Sequence, residues 1–445
     1  MGKKTLKILT IEKQDTNSNI LDLIVEKLEL INYNVITANV EAQESSLIEE
    51  IGSSVKHCDV VLFIGGLGTS YSNLIWLAIA KVFHQQLIES RHLVNYTKLS
   101  ENYTTACAKC FECRNNGTFP IMYIQGLFLL TDDSNLLQSS ILNIAIPFLK
   151  HLSSDMVFKR KLTVEVSGGV PNLQGDGKVH VSSNIVSDSL QLHLTSTSLS
   201  DLLNYENRLI ENCKVLDCHE DTDIERLVYD HQDLHVRKSV ECIEECFKRY
   251  GPENVFVSFN GGKDCTVLLH LTIGVLRKNY PHYRGKINCV YVENANPFPE
   301  LNKFIEESQQ YYNLDVLKFT KSIKDSLTDV LVSKPNMKAV LMGTRRSDPF
   351  SEHLQPFQMT DYNWPQVMRV SPILDWHYSQ IWDYLLHLKV PYCSLYDDGY
   401  TSLGSALNTI PNPFLFLTDD NGKKKYLPAY KLLDASQERS GRLSC

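Results

Sequence analysis

The run Ser258-Phe-Asn-Gly-Gly-Lys-Asp-Cys265 sets two glycines, a lysine and a carboxylate within eight positions. Ahead of it the apolar residues Val255 to Phe259 read as a buried strand, and behind it Asp264 to Leu276 carries helical spacing. Glycines between a strand and a helix let backbone N–H groups approach a phosphate, and the helix N-terminus adds dipole attraction for anions. Lys263 supplies a full positive charge, and Asp264 at the helix start could ligate a metal or its waters. The pattern Gly-x4-Gly-Lys-Ser/Thr is absent, so this is not a Walker loop. A tight strand-to-helix turn with no ligand is the plainer account of a Gly-Gly pair taken alone.

Three later runs accompany the loop: Met342-Gly-Thr-Arg-Arg-Ser-Asp-Pro349, Asn363-Trp-Pro-Gln-Val-Met-Arg-Val-Ser-Pro-Ile-Leu-Asp-Trp376 and Tyr396-Asp-Asp-Gly-Tyr-Thr-Ser-Leu-Gly404. The loop Ser258-Phe-Asn-Gly-Gly-Lys-Asp264 resembles the PP-loop of the ATP pyrophosphatase-like superfamily. Taken together and in order, the four resemble eukaryotic FAD synthases, a likeness covering about residues 228 to 445. The resemblance implies transfer of AMP from ATP to the phosphate of FMN, giving FAD and pyrophosphate, with magnesium (Mg2+) bridging the phosphates. FMN's phosphate, with a second pKa near 6 like other phosphomonoesters, is largely dianionic at neutral pH, so no catalytic histidine is needed. The chemistry asks instead for suppressed repulsion between polyanions, in-line placement and neutralisation of the leaving pyrophosphate.

On that resemblance the catalytic set is Asn260, Lys263, Asp264, Arg345 and Arg346, with Asp264 as the metal ligand. ATP falls to Ser258, Asn260, Gly261, Gly262, Lys263, Asp264, Gly343, Arg439 and Arg442; FMN falls to Arg346, Asp348, Asp361, Trp364 and Arg369. Asn260 stands where wider PP-loop proteins commonly carry Ser. Each site has a plainer counterpart. An arginine is by default a solvated charge, and Gln437-Glu-Arg-Ser-Gly-Arg442 could be a frayed terminus. Phe350, Phe357, Tyr362 and Trp364 could line a slot for a flat ring or belong to the core, and Asp348 and Asp361 could simply form turns.

Asp15-Thr-Asn-Ser18 and Phe63-Ile-Gly-Gly-Leu-Gly68 resemble the molybdopterin-binding domain that precedes FAD synthase in animal enzymes. The family's Gly-Pro-Thr-x-Asp-Asp turn is here Gly68-Thr-Ser-Tyr-Ser-Asn73, without either carboxylate, and Gln125-Gly-Leu-Phe128 stands near the place of its Pro-Gly-x-Pro element. Metal-assisted hydrolysis needs acidic ligands, so residues 1 to 215 are expected to be structural or regulatory. Cys107, Cys110 and Cys113 are three local thiols where a zinc site wants four ligands, and plain loop thiols are expected. His231 and His235 could share a metal; surface histidines are the expectation.

The elements that must position these residues form two β-α-β series. The expected fold class is α/β: two parallel-sheet three-layer domains, one molybdopterin-binding-like (1–155) and one Rossmann-like PP-loop domain (226–445). A small α+β subdomain and linker (156–225) lies between them. In detail, Ile121 to Leu130 reads as one strand, residues 95 to 119 as a surface loop, and Leu227 to Tyr250 as one charged helix ending at Gly251-Pro252. The acidic stretch 216–225 reads as a linker permitting independent motion. A net charge of −8 over 445 residues argues against nucleic acid, and no apolar run is long enough for a membrane span. Twelve cysteines and no visible secretory signal point to a reducing, cytoplasmic setting. The expected partners are ATP and FMN, with hand-over of FAD to client apo-flavoproteins. A sulfonucleotide reductase and a non-catalytic flavin-binding module are the alternatives.

Overall fold

A computed structural model describes residues 3–12, 18–69, 71–89, 103–105, 107–111, 119–165, 177–186, 189–220, 223–283, 285–418 and 424–443. Cys113, Asp15 to Asn17 and the sequence-predicted features between 90 and 102 lie outside them.

The first sheet collects β1 (Lys4–Ile11), β2 (Tyr33–Val40), β3 (Val60–Leu67), β6 (Lys109–Phe111), β7 (Ile121–Ile124) and β8 (Leu127–Thr131) in the order β2-β1-β3-β8-β7-β6. A separate pair, β4 (Leu87–Glu89) and β5 (Tyr103–Thr105), lies beside it. Along β1 the period of two sends Leu6 and Ile8 to one face and Leu9 and Ile11 to the other. Helix α1 (Ser18–Leu30) covers the first face with Ile24 and Leu28; α2 (Glu44–His57) and α3 (Ser72–Val82) cover the second with Leu47, Ile51, Ile75 and Ile79. Helices α4 (Ser134–Ser140) and α5 (Ile146–Ser153) follow β8.

Strands β2, β1, β3 and β8 run parallel, but β7 pairs antiparallel with both β8 and β6. The apolar run 121–130 is therefore a hairpin, not one strand. Gln125 (φ 44°) and Gly126 (φ 88°) both take positive φ, the two-residue turn whose twist suits a hairpin. Residues 95 to 119 are more than a surface loop, since Thr104 and Thr105 are buried and β6 closes the sheet edge.

The second sheet is antiparallel, β10 (His180–Val186), β11 (Ser189–Ser196), β9 (Phe158–Glu165) and β12 (Val215–Glu220), backed by α6 (Leu199–Asn212). Strand β12 occupies much of the stretch expected to be a linker. The sheet's Leu162, Leu192 and Leu194 join one continuous core with the third sheet, and buried Arg160 pairs with Glu206 while donating to the carbonyl of Tyr311 (2.8 Å).

The charged helix is two: α7 (Ile224–Tyr229) and α8 (Leu234–Tyr250), so Leu234 is exposed and not on a common buried face. Gly251 ends α8 at a positive φ of 76°, a backbone glycine adopts without strain. The third sheet then assembles from β13 (Val255–Ser258), β14 (Ile287–Val292), β15 (Leu314–Phe319), β16 (Ala339–Leu341), β17 (Phe357–Met359) and β18 (Met368–Val370), in the order β15-β14-β13-β16-β18-β17. All pairs are parallel except β17–β18. Helices α9 (Lys263–Asn279), α10 (Pro299–Tyr311), α11 (Ile323–Ser333) and α12 (Tyr378–His387) complete it. No described helix is long and apolar enough to cross a membrane.

The halves are tied together. Lys109 of β6 reaches Asp233 (2.8 Å) and Asp383 (3.4 Å), His151 meets the carbonyl of His387 (2.7 Å), and Lys389 donates to the carbonyls of Ser154 and Asp155. These bonds join the two halves at several points, beside the 216–225 stretch read as a linker permitting independent motion. Between the halves lies an open cleft of about 1190 Å³, walled among others by Lys109, Phe148, His231 and Trp376.

Candidate active site

At the carboxyl end of β13, the Asn260 side-chain oxygen accepts from the Gly262 N–H (3.0 Å) and closes the turn. Gly261 takes φ 72°, and a Cβ there would lie 2.7 Å from the Leu301 side chain, so the position needs glycine on both counts. Gly262 caps α9, and the Lys263 N–H donates to the Tyr396 hydroxyl (2.8 Å). Beyond the end of β16, a Cβ on Gly343 would stand 2.9 Å from the Cys265 backbone nitrogen. The strand's exit thus presses directly on the helix N-terminus.

Within this crook sit two buried cations. Lys263, with 2% of its side chain exposed, binds Asp264 (3.0 Å) and Glu438 (2.5 Å), and its ammonium lies 5.3 Å from the centroid of the Tyr378 ring. Arg345, 1% exposed, donates from one terminal nitrogen to both carboxylate oxygens of Glu438 (2.6 and 2.7 Å); its Nε lies 2.8 Å from Asp264 Oδ1. Burial works against the charged form of Asp264, yet Lys263 and Arg345 outweigh it and hold the carboxyl below its ordinary range. Asp348, which accepts from the Arg345 N–H (2.8 Å), is pushed up by burial. Isolated cations at such depth would be costly, and Asp264 and Glu438 offset them.

Of the sequence-predicted residues, Asn260, Gly261, Gly262, Lys263, Asp264, Gly343, Arg345 and Asp348 come together here, starting two residues beyond Ser258 at the end of β13. Arg346 does not join them: its guanidinium binds Asp375 (2.5 Å) and the carbonyls of Glu352 and Leu354 (2.9 Å each), which order the following loop. Asp361, Trp364 and Arg369 lie along the β17–β18 hairpin, where Arg369 donates to the Met359 carbonyl (3.2 Å) and sits 3.6 Å from Asp361. Phe357 receives the Arg249 guanidinium 4.5 Å from its ring, whereas Phe350 and Tyr362 are fully exposed. The tail is not frayed: Arg442 donates to Ser402, Thr409 and the Leu403 carbonyl, and Arg439 is exposed beside it.

Sequence reasoning missed Glu438, Tyr378 and the role of Tyr396. Glu438 stands directly before Arg439 in a stretch read only for its arginines. The signal was charge balance: two cations expected to be buried require carboxylates, and Asp264 alone could not serve both.

Asp264 Oδ1 and Arg345 Nε are close, but neither makes a directed hydrogen bond. A buried carboxylate oxygen with that freedom is the donor a small hard divalent cation takes, together with substrate phosphate oxygens and water. The residues present are therefore compatible with magnesium.

Elsewhere, Ser72 occupies the first missing carboxylate's place, its hydroxyl accepting from the Thr69 N–H (2.9 Å). His231 and His235 are not surface histidines. Both are largely enclosed, and burial lowers both, His235 to about 4. No metal-binding group of three or more His, Cys, Asp or Glu occurs among the described residues.

A phosphoadenosine phosphosulfate reductase domain model matches residues 254–330 and 324–411. The chain is 43% identical over 208 residues to a probable FAD synthase of Schizosaccharomyces pombe, covering 46% of this chain and 77% of that protein. It is 43% identical over 211 residues to a probable FAD synthase of Caenorhabditis briggsae, covering 46% of this chain but 40% of the nematode protein. The solved FMN adenylyltransferase of Candida glabrata, in complex with FMN and the ATP analog AMPCPP, aligns with a TM-score of 0.45 and 28% identity over 49% of this chain and 99% of that one. With the glycine turn and the two cations beside it in place, and a relative matched over most of its length, the chain belongs to the FAD synthase family.

Proposed function

We propose that the protein adenylates FMN: the FMN phosphate attacks the α-phosphorus of ATP in line, the bond to pyrophosphate breaks, and FAD and pyrophosphate leave. The observation that carries this is the pair Lys263 and Arg345, buried together against the glycine turn and the N-terminus of α9. A polyphosphate entering there would take over from Glu438 as their partner and spread its charge across two fixed donors. Asn260 holds the turn, Gly261 and Gly262 let backbone approach the phosphates, and Gly343 keeps the helix start close. Ser258, Arg439 and Arg442 complete the ATP side. Asp348, Asp361, Trp364 and Arg369 are assigned to FMN, with Arg346 holding the loop between them. Asp264 would hold magnesium, which when bound neutralises charge on the phosphate oxygens.

The dianionic FMN phosphate needs no general base, consistent with a site built from cations, carboxylates and tyrosines and lacking histidine among its described contacts. Hand-over of FAD to apo-flavoproteins and a cytoplasmic setting belong to the same proposal; the ten described cysteines are free thiols, as a reducing compartment would leave them. The reductase reading that the domain model brings requires a reactive thiolate. Cys265, beside the loop, is pushed to about 12 by burial, and Cys445 lies outside the described residues.

Incubation with FMN, labelled ATP and magnesium is the direct test: FAD and pyrophosphate in equal amounts support adenylation, whereas saturable FMN binding without turnover would leave only a binding module. Asp264→Ala is expected to lower kcat by roughly two orders of magnitude, in the range of lost transition-state electrostatics, while FMN affinity by titration stays within about threefold. Unchanged turnover in that variant would remove Asp264 from the mechanism.

A further inference from the structure

The segment that delivers Glu438 to the two cations is fastened at its other end to the N-terminal half. Lys431 Nζ donates to the carbonyls of Val55 (3.1 Å) and Cys58 (2.6 Å), at the C-terminal end of α2. That is where a helix presents unpaired carbonyls and the negative end of its dipole. Two residues on, Leu433 packs against the apolar cluster of the first sheet that includes Leu47, Ile51 and Val55. On both sides of these anchors the strap is held by further hydrogen bonds. Tyr378, whose ring faces Lys263, donates its hydroxyl to the Ala429 carbonyl (2.8 Å); Asp434 caps the turn Ala435–Gln437; Asn412 donates to the Gln437 carbonyl (2.8 Å), and Thr401 to that of Glu438 (2.6 Å).

We propose that the N-terminal half is the seat that sets the strap 429–438, making Lys431 and Leu433 positioning residues that act on the nucleotide site through Glu438. This rests on the nucleotide reading of that site, and assigns the first half of the chain a task its glycine turn, without carboxylates, does not suggest. Coupling of this kind is reciprocal: if the seat shapes the nucleotide site, nucleotide must tighten the seat.

The test uses the full chain. Lys431→Met should raise the KM for ATP at least fivefold with the KM for FMN within twofold, Leu433→Ser should act in the same direction, and Lys431→Arg should restore the ATP value to within twofold. Independently, saturating AMPCPP should slow amide hydrogen exchange in residues 51–58 of the unmodified protein at least fivefold, and the Lys431→Met variant should lose that response. Unchanged KM for ATP in Lys431→Met, or exchange at 51–58 indifferent to bound AMPCPP, overturns the proposal while leaving the adenylation reading intact. Failure of AMPCPP to bind at all would sink both. Should Lys431→Met not fold, the exchange experiment on the unmodified protein decides alone.

Discussion

Glu438 is one carboxylate answering two cations, each almost wholly removed from water. Glu438→Gln leaves Lys263 and Arg345 sharing Asp264 alone, and breaking a buried pair from one side costs about 3 kcal/mol or more. The expected result is a lower melting temperature without ligand and a larger upward shift on adding ATP than the unmodified protein shows. Thermal melts with and without ATP check it, and an equal ATP shift in both proteins would contradict the exchange of carboxylate for phosphate. At this scale Lys263, Asp264 and Arg345 were legible because each sits inside a run whose residue types already demand an anion. Arg346 stands apart from that cluster although its neighbour shares the same type: adjacent residues point apart, and only Arg345 turns inward while Arg346 ties Asp375 and two carbonyls.

Strands and helices place these residues through close approaches that tolerate no added atoms. Gly343→Ala would set a methyl 2.9 Å from the Cys265 nitrogen, so either the exit of β16 or the first turn of α9 must shift. A loss of about 1–3 kcal/mol is expected from overpacking, with a raised KM for ATP, measurable by urea denaturation and steady-state kinetics. Helix α9 also carries His270, fully enclosed with Nδ1 2.8 Å from the Tyr384 hydroxyl, and burial lowers its pKa to about 3. The unfolded value is about 6.5, so the unfolded chain takes up the proton first. This group's contribution is whole above pH 6.5 and declines as pH falls toward 3, by about 2 kcal/mol at pH 5. Urea midpoints at pH 7.5 and pH 5 should differ in that direction, and His270→Gln should shrink the difference by about that amount, leaving the share of the other buried histidines such as His235. The β-α-β order was legible from alternating apolar periods. The 121–131 hairpin was not, because an apolar run hides its turn unless the two positive-φ residues inside it are suspected, and Gln125 is an unusual choice for one. The break between α7 and α8 was hidden in the same way by a charged stretch whose spacing nearly continues.

Across the whole molecule, the docking of the halves left no trace in the sequence, because lysines bonding to backbone carbonyls carry no pattern. Lys431 looks like any surface lysine until the carbonyls of Val55 and Cys58 are beside it. If the strap transmits its seating to the site, Lys431→Met and Glu438→Gln should be non-additive, the double variant raising the KM for ATP by less than the product of the single effects; independent effects would multiply. The sequence distance between Lys263 and Glu438, 175 positions, has a further consequence for biosynthesis. In order of synthesis the glycine turn and every strand of the third sheet precede the residue that balances the two cations. Until Glu438 is added, Asp264 is the one carboxylate of this pair of partners that Lys263 and Arg345 have, so the electrostatic balance of the site is completed by the strap and not by the sheet that carries the cations.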